Sequence, residues 1–321
     1  MQSGHLGIDL GGSNIFSVVF DDSYHPVTQS KIDTEAKEGY NHVIGRLRGQ
    51  IDALIASCES KGIRIETIGL GVPGVVSKDT DLVRVAPNLN WENRHPLQDL
   101  GLLVQRDIRS VLVNDVNAGL MGELARMQHK PSIAIAFFCG TGIGGAIAIN
   151  GELVLGRDGG AGEVGHIIVR DGGRKTDSGL RGSLESYIGK WALNKRVDRY
   201  IGMKKKTVLR DLIDYNLRKT PIKSSSLKKA YEKGDGFAQA LMNEYYCKFL
   251  AVGISQAVNM LNPDLVILGG GIMEAMGVKL LPHVQSKLAM RCINPLPQIR
   301  LAELGDMAGP MGAAYLARKK Q

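Results

Sequence analysis

The sequence predicts an α/β protein of two domains, and three observations predict it. The chain has 321 residues, more than one ordinary domain of ~100–200 residues holds. Strand-like runs alternate with stretches of helical apolar spacing. A strand, glycine turn and strand open the chain at GIDLGGSN, and a similar unit recurs at CGTGIGGA, so the two halves begin alike.

In order, residues 6–10 read as a strand, Gly11-Gly12-Ser13-Asn14 as a tight turn, and residues 15–20 as the returning strand. Asp9 is left at the end of the first strand. Apolar spacing over 40–58 predicts a helix that stops near Gly62. A strand over 65–72 is halted by Pro73-Gly74, and a helix is expected over 97–108. A short buried strand over 110–113 runs into Asn114-Asp115, and a helix over 116–128 follows with Asp115 near its N-terminus. The second unit places a strand at 132–138, a turn over Gly140 to Gly145, and a strand at 146–149. Beyond 183 the pattern is mostly helical, broken by strands at 264–268 and 298–301. A domain boundary is expected within 115–130, with a last helix over 308–320 packing back across it. The lysine-rich stretch 203–233 reads as a solvated basic face.

Composition narrows the classes. Hydrophobic residues at 44% and charged residues at 22% are globular proportions and exclude a disordered chain. No apolar run approaches the ~20 residues of a membrane span, and the N-terminus lacks a signal-peptide pattern. Cys58, Cys139, Cys247 and Cys292 lie far apart, which suits free thiols in a reducing cytoplasm and leaves no CxxC-type zinc site. The net charge of +8 fits nucleic acid or an anionic small molecule, but aromatics at 5% supply few stacking platforms for single strands. Glycine, 40 residues against a usual ~7%, directs attention to the turns.

Gly140-x-Gly142-x-x-Gly145 matches a dinucleotide fingerprint, yet such a fingerprint must open a helix. Here Ala146 to Ile149 reads as strand and Asn150-Gly151 as a hairpin turn, which argues against a nicotinamide cofactor. Each glycine turn alone could be an ordinary hairpin. Two of them, with donors from Ser13, Asn14 and Thr141, suit a site whose backbone approaches phosphate oxygens. Asp9 is placed to hold magnesium through water. Asp115 reads either as an N-cap or as a general base accepting a hydroxyl proton. Glu163 and His166 in GEVGH either bind metal or hold ligand hydroxyls, and no cysteine or further histidine lies near to complete a metal site. With Glu185 in RGSLE and the amides of Asn88-Leu-Asn90-Trp91, they form an inventory suited to a polyhydroxylated ligand.

These motifs, in this order, resemble the ROK family of the sugar-kinase/actin-like ATPase superfamily over nearly the whole chain. GIDLGGSN and CGTGIGGA resemble its two phosphate motifs, GVPGVV and NLNW its sugar-side motifs, and NDVNAG its catalytic-aspartate segment. GEVGH, RGSLE and NPDLVILGGGI resemble its ExGH signature, downstream acid and adenosine-side motif. The resemblance implies two ribonuclease-H-like (actin-like ATPase) domains with an interdomain cleft. They are expected at 1–118, completed by a C-terminal helix at 307–321, and at 119–306. It implies ATP-dependent phosphorylation of a hexose, at the 6-position, with Asp115 as general base. Asn88, Asn114, Glu163, His166 and Glu185 would hold the sugar. Gly11, Gly12, Ser13, Asn14, Gly140, Thr141 and Gly142 would hold phosphates, Gly269, Gly270 and Gly271 would lie beside adenosine, and Asp9 would support Mg2+. A cytoplasmic homodimer without membrane or specific nucleic-acid partners is implied as well.

One departure is sharp. Where most family kinases carry three zinc-binding cysteines, this chain has Thr176, Ser178 and Ser183. Hydroxyls are poor zinc ligands beside thiolates, so no zinc is expected and the loop should be held by hydrogen bonds. Family repressors carry a DNA-reading domain before the first phosphate motif, and eight residues before Asp9 leave no room for one. A sugar sensor without turnover is the alternative, disfavoured by Asp115 and both turns. Glucose, allose and N-acetylmannosamine all remain candidate sugars.

Overall fold

The computed structural model describes residues 2–77, 80–103, 108–176, 179–213 and 220–319. The chain folds into two compact units, one of Met1–Lys130, Ile147–Ala161 and Glu303–Gln321, the other of Pro131–Ala146 and Gly162–Ala302.

The first unit is built on β1 (Gln2–Leu10), β2 (Asn14–Phe20), β3 (Pro26–Asp33), β4 (Ile63–Val72) and β8 (Arg109–Asn114), ordered β3-β2-β1-β4-β8. β1 and β2 pair antiparallel across the first glycine turn, and β1, β4 and β8 run parallel. Alternation along β1 explains how both faces are covered. Leu6, Ile8 and Leu10 join a core with Val43, Leu47, Ile51 and Leu54 of the helix Tyr40–Glu59, whose spacing is helical. Gly7, on the opposite face, pairs across the sheet with Gly69. A Cβ at Gly7 would stand 1.8 Å from the Pro310 carbonyl oxygen, and one at Gly69 would stand 2.0 Å from that of Ala313. The paired glycines therefore let the C-terminal helix Ala308–Lys319 lie directly on the sheet. Gly312 and Gly122 do the same between that helix and Asp115–Ala125, since their Cβ atoms would stand 1.7 Å and 2.1 Å from the carbonyl oxygens of Ala118 and Ala308.

A second, three-stranded sheet of β5 (Val75–Val76), β6 (Val83–Ala86) and β7 (Trp91–Arg94) follows β4. Neither it nor β3 was expected. β3 is an edge strand whose burial is only partial, so the core imposes no clear alternation on its sequence. The helix expected over 97–108 is corrected to four residues, Pro96–Asp99. The Asp81 carboxylate accepts the Leu97 and Gln98 N–H groups at its start, and Gly101 takes a φ of 73° just past its end. Residues 104–107 of that expectation lie outside the described residues, as do 214–219 of the basic stretch, Ser178, and the ends of the last helix and chain.

The second unit repeats the plan. Its sheet is ordered β11-β10-β9-β12-β13, from β9 (Ile133–Cys139), β10 (Ile143–Ile149), β11 (Glu152–Leu153), β12 (Leu265–Gly269) and β13 (Gln298–Leu301), of which β11 and the last three residues of β10 are counted with the first unit. β9, β12 and β13 run parallel, and β10 returns from the second glycine turn as β2 does from the first. Asn150 and Gly151, with φ of 52° and 75°, close the β10–β11 hairpin. The strand after Gly145 thus excludes the dinucleotide fingerprint on geometry as well. The helices Lys190–Gly202, Cys247–Leu261 and Gly271–Ala289 bury one face each in this unit. No helix among the described residues is long and apolar enough to cross a membrane.

Candidate active site

Each unit gathers its expected residues where its parallel strands end, the usual ligand-binding edge of such sheets. In the first unit, Asp9 is the penultimate residue of β1, Val72 ends β4, and Asn114 ends β8. Asn114, not Asp115, is the N-cap of the following helix, its Oδ1 accepting the Asn117 N–H at 3.0 Å. Its Nδ2 donates to the Gly74 carbonyl at 2.9 Å and to Asp115 Oδ1 at 3.0 Å, so the cap also orients the aspartate. The capping alternative for Asp115 is thereby answered: Asp115 is the first helical residue.

Burial pushes the Asp9 carboxyl up to about 7, and the Asp115 and Asp306 carboxylates reinforce it while Lys31 opposes. Asp9 also faces the start of the C-terminal helix, where a Cβ on Gly309 would stand 3.0 Å from its Cγ. An oxygen-only donor set beside a glycine turn suits a hard cation such as magnesium, which needs one or two carboxylates plus phosphates. Among the described residues no group of three or more His, Cys, Asp or Glu side chains is arranged to enclose a metal.

The first turn closes with Gly11 N–H donating to the Asn14 carbonyl at 2.9 Å, and Thr34 Oγ1 donates to the Gly11 carbonyl at 2.6 Å. Asn14 Nδ2 is committed to Asp33 Oδ1 at 3.1 Å, whereas Ser13 is exposed. Gly12 abuts Asn88, whose carbonyl oxygen would stand 3.0 Å from an added Cβ, so Asn88 is brought to the first glycine turn.

In the second unit, Gly140, Thr141 and Gly142 follow β9. Gly140 N–H donates to the Gly142 carbonyl at 2.9 Å, and Lys190 N–H reaches the Thr141 carbonyl at 3.1 Å. The Glu185 carboxylate accepts the Ile143 N–H at 2.8 Å, and a Cβ on Gly142 would stand 2.3 Å from it. Glu185 is thus seated against the second glycine turn. GEVGH packs on the same turn, because Gly145 and Gly165 admit Gly162 and Ile143 backbone at distances a Cβ would forbid. Glu163 Oε2 and His166 Nε2 stand 3.9 Å apart, both about half exposed. Gly270, with a φ of 78°, lies against the Cys139 backbone, so Gly269, Gly270 and Gly271 adjoin the turn from the other side.

Two residues here escaped sequence reasoning. A Cβ on Gly271 would stand 3.4 Å from Lys190 Nζ and 3.5 Å from Ser224 Oγ. Ser224 Oγ is buried without a hydrogen-bond partner, and burial holds the Lys190 ammonium below its ordinary range against the pull of Glu274. The available signal was a lysine opening a helix, where the dipole disfavours a cation unless an anion is near.

The 171–185 loop is laced by hydrogen bonds. Thr176 donates from N and Oγ1 to the Leu180 carbonyl at 2.8 and 3.0 Å, and Gly182 N–H donates to Arg174 at 2.8 Å. Ser183 pairs with Ile168 as an antiparallel bridge, and its carbonyl accepts Ser186 Oγ at 2.6 Å.

Comparison with known proteins identifies the family. The ROK family profile matches residues 5–320. The chain is 30% identical over 325 residues to a glucokinase of Thermotoga maritima, covering 98% of this chain and 97% of that one. It is 28% identical over 327 residues to an N-acetyl-D-glucosamine kinase of Yersinia pseudotuberculosis, covering 97% and 98%. A crystal structure of a ROK family glucokinase from Streptomyces griseus with glucose and AMPPNP superposes with a TM-score of 0.81 at 26% identity, covering 98% and 99%. With two actin-like ATPase domains of ribonuclease-H-like plan and motifs matching from end to end, this chain belongs to the ROK family.

Proposed function

We propose that this protein is an ATP-dependent sugar kinase that phosphorylates a hexose, at the 6-hydroxyl, with Asp115 as general base. The observation that carries the reading is the placement of Asp9 and Asp115 at one edge of the sheet: Asp9 registers through Gly71 of β4 with Val113 of β8, two residues before Asp115. Both stand at the ends of parallel strands in the unit that carries the first glycine turn. The names of the relatives, glucokinase and N-acetyl-D-glucosamine kinase, support sugar phosphorylation.

In this reading Asp115 takes the proton of the sugar hydroxyl as that oxygen attacks the γ-phosphorus, and ADP departs in line. Asn114 orients Asp115 through the hydrogen bond described above. Asn88, Asn114, Glu163, His166 and Glu185 hold the sugar. The turns of Gly11, Gly12, Ser13 and Asn14 and of Gly140, Thr141 and Gly142 hold the phosphates, the Gly11 and Gly140 N–H groups closing the turns themselves, and Gly269, Gly270 and Gly271 border the adenosine. Asp9 would hold Mg2+ through water, and the ion would neutralise charge on the phosphates. Lys190 adds a cation beside the nucleotide, and the 171–185 loop works without zinc.

The test is ATP-coupled turnover against glucose, allose, mannose, fructose, N-acetylmannosamine and N-acetylglucosamine, for wild type and Asp115→Asn. One sugar should turn over well. The amide keeps the shape but cannot accept the proton, so Asp115→Asn should bind that sugar and lose ~10²–10⁴-fold in turnover number. No turnover with any sugar, or an unchanged rate in the variant, would overturn the assignment.

A further inference from the structure

A second charged site lies in the second unit, among residues outside its glycine turn. Two adjoining cavities of about 430 and 560 Å³ share Arg170, Arg196, Tyr245 and Phe249. Each falls within the ~300–1,000 Å³ usual for small-ligand sites. The Arg196 guanidinium lies 3.6 Å above the Tyr245 ring, and that of Arg174 lies 5.3 Å from the Tyr187 ring centre. Tyr187 stacks on Phe249 at 4.2 Å. The arginines are therefore held flat by aromatic faces rather than by carboxylates. Glu244, which also lines the larger cavity, is engaged with Lys287 at 2.9 Å.

Flat stacking leaves the guanidinium edges to find partners, and two of their nitrogens have none. Arg174 Nη1 and Arg196 Nε are buried without a hydrogen-bond acceptor, and the Tyr245 hydroxyl beside Arg196 lacks a partner in good geometry. Buried donors of this kind are rare because leaving a charged N–H unsatisfied is costly. Three in one cavity describe a site awaiting acceptor oxygens. A phosphate monoester supplies several in the geometry that a guanidinium fork matches. The remaining lining carries the charges of Asp171, Glu244 and Lys248 and an aromatic face, with Tyr200 and Phe237 stacked at 3.7 Å, that suits the carbon face of a sugar.

We propose that the pocket of Arg170, Arg174, Arg196, Tyr187, Tyr245 and Phe249 binds a phosphomonoester of the sugar-phosphate class. The Tyr187 hydroxyl accepts the Arg174 N–H at 3.3 Å, two residues along from Glu185, which seats the second glycine turn. An occupant of the pocket is thereby connected to the phosphate-binding edge of the same unit. Identifying this ligand with the product of the reaction rests on the kinase reading; binding itself does not.

The test is calorimetric titration of the full chain with glucose 6-phosphate, inorganic phosphate and glucose, with the active site pre-filled by saturating AMPPNP and the best sugar. Wild type should take up glucose 6-phosphate more tightly than inorganic phosphate, and glucose should not bind. Arg174→Gln and Arg196→Gln should each weaken that binding by ~10-fold or more, the worth of one hydrogen bond to a charged group. Tyr245→Phe, which removes only a hydroxyl, keeps the test open should an arginine variant fail to fold, and should also weaken binding. Exposed Arg157→Gln serves as the surface control. Absence of glucose 6-phosphate binding, equal affinity in all variants, or equal affinity for inorganic phosphate would each overturn the proposal.

Discussion

Asp9 sits where the chemistry wants a charge and the fold does not. Its carboxyl is pushed up to about 7 by burial first and by Asp115 and Asp306 next, so the folded protein favours the protonated form. A raised carboxyl contributes stability below the unfolded value, and that contribution is lost as pH rises through about 7. The metal-free protein should therefore lose on the order of a few kcal/mol at this residue between pH 4 and pH 8. Asp9→Asn should melt higher than wild type at pH 8 in the presence of chelator, with the difference shrinking toward pH 5, while turnover collapses. Equal melting temperatures at pH 8 would remove the electrostatic account. At this scale the sequence was informative about which residues gather at each strand end, because motifs announce themselves by type and spacing. It was silent on Lys190, Ser224 and Asp306, whose place depends on elements far away in the chain. It also left Asp115 undecided between N-cap and general base, since an aspartate is a competent N-cap and only the extended backbone of Asn114 moves the cap one residue earlier.

Elements meet closely here because glycine faces carbonyl. Gly7 and Gly69 are paired across β1 and β4, and the C-terminal helix places the Pro310 and Ala313 carbonyls where their Cβ atoms would be. Gly69→Ala must push backbone against backbone, since no flexible side chain can yield. Overpacking commonly costs ~1–3 kcal/mol, and a rigid contact of this kind lies at or beyond the upper end. Denaturant melts should show that loss, against a gain of ~0.5–1 kcal/mol for Gly49→Ala, a helical position where an added Cβ meets nothing within 4 Å. A similar cost for both would mean that glycine flexibility, not contact, sets the effect. The strands and the helix Tyr40–Glu59 were legible because burial of one face stamps a period on the sequence. The helix expected over 97–108 was not, because its apolar spacing is interrupted by conformation at Gly101 rather than by polarity. β3 and the two-residue β5 and β11 are too short or too exposed to carry a period.

On the scale of the whole chain, the first unit is completed only by its last segment. Glu303–Gln321 returns to Met1–Lys130, although the intervening second unit contributes everything between 162 and 302. The returning helix buries Ala308, Pro310, Met311, Gly312, Ala313, Ala314 and Ala317. Its approach is fixed by the buried Glu123 carboxylate, which accepts the Glu303 and Leu304 N–H groups at 3.0 and 2.9 Å. Without that segment, one face of β1 and β4 is bare, Gly7 and Gly69 offer no side chain to shield it, and the Glu123 carboxylate loses its donors. The second unit keeps β9, β12, β13 and its own helices, none drawn from 303–321. A chain ending at Ala302 should therefore lose amide protection in β1, β4 and β8 while β9 and β12 exchange as slowly as in the full chain. Hydrogen exchange read by mass spectrometry distinguishes the two sheets peptide by peptide. Uniform protection in both would show that the glycine-lined sheet closes without its helix, and uniform loss would show that the second unit depends on the first; only the split pattern fits a duplicated fold whose first copy waits for the end of the chain.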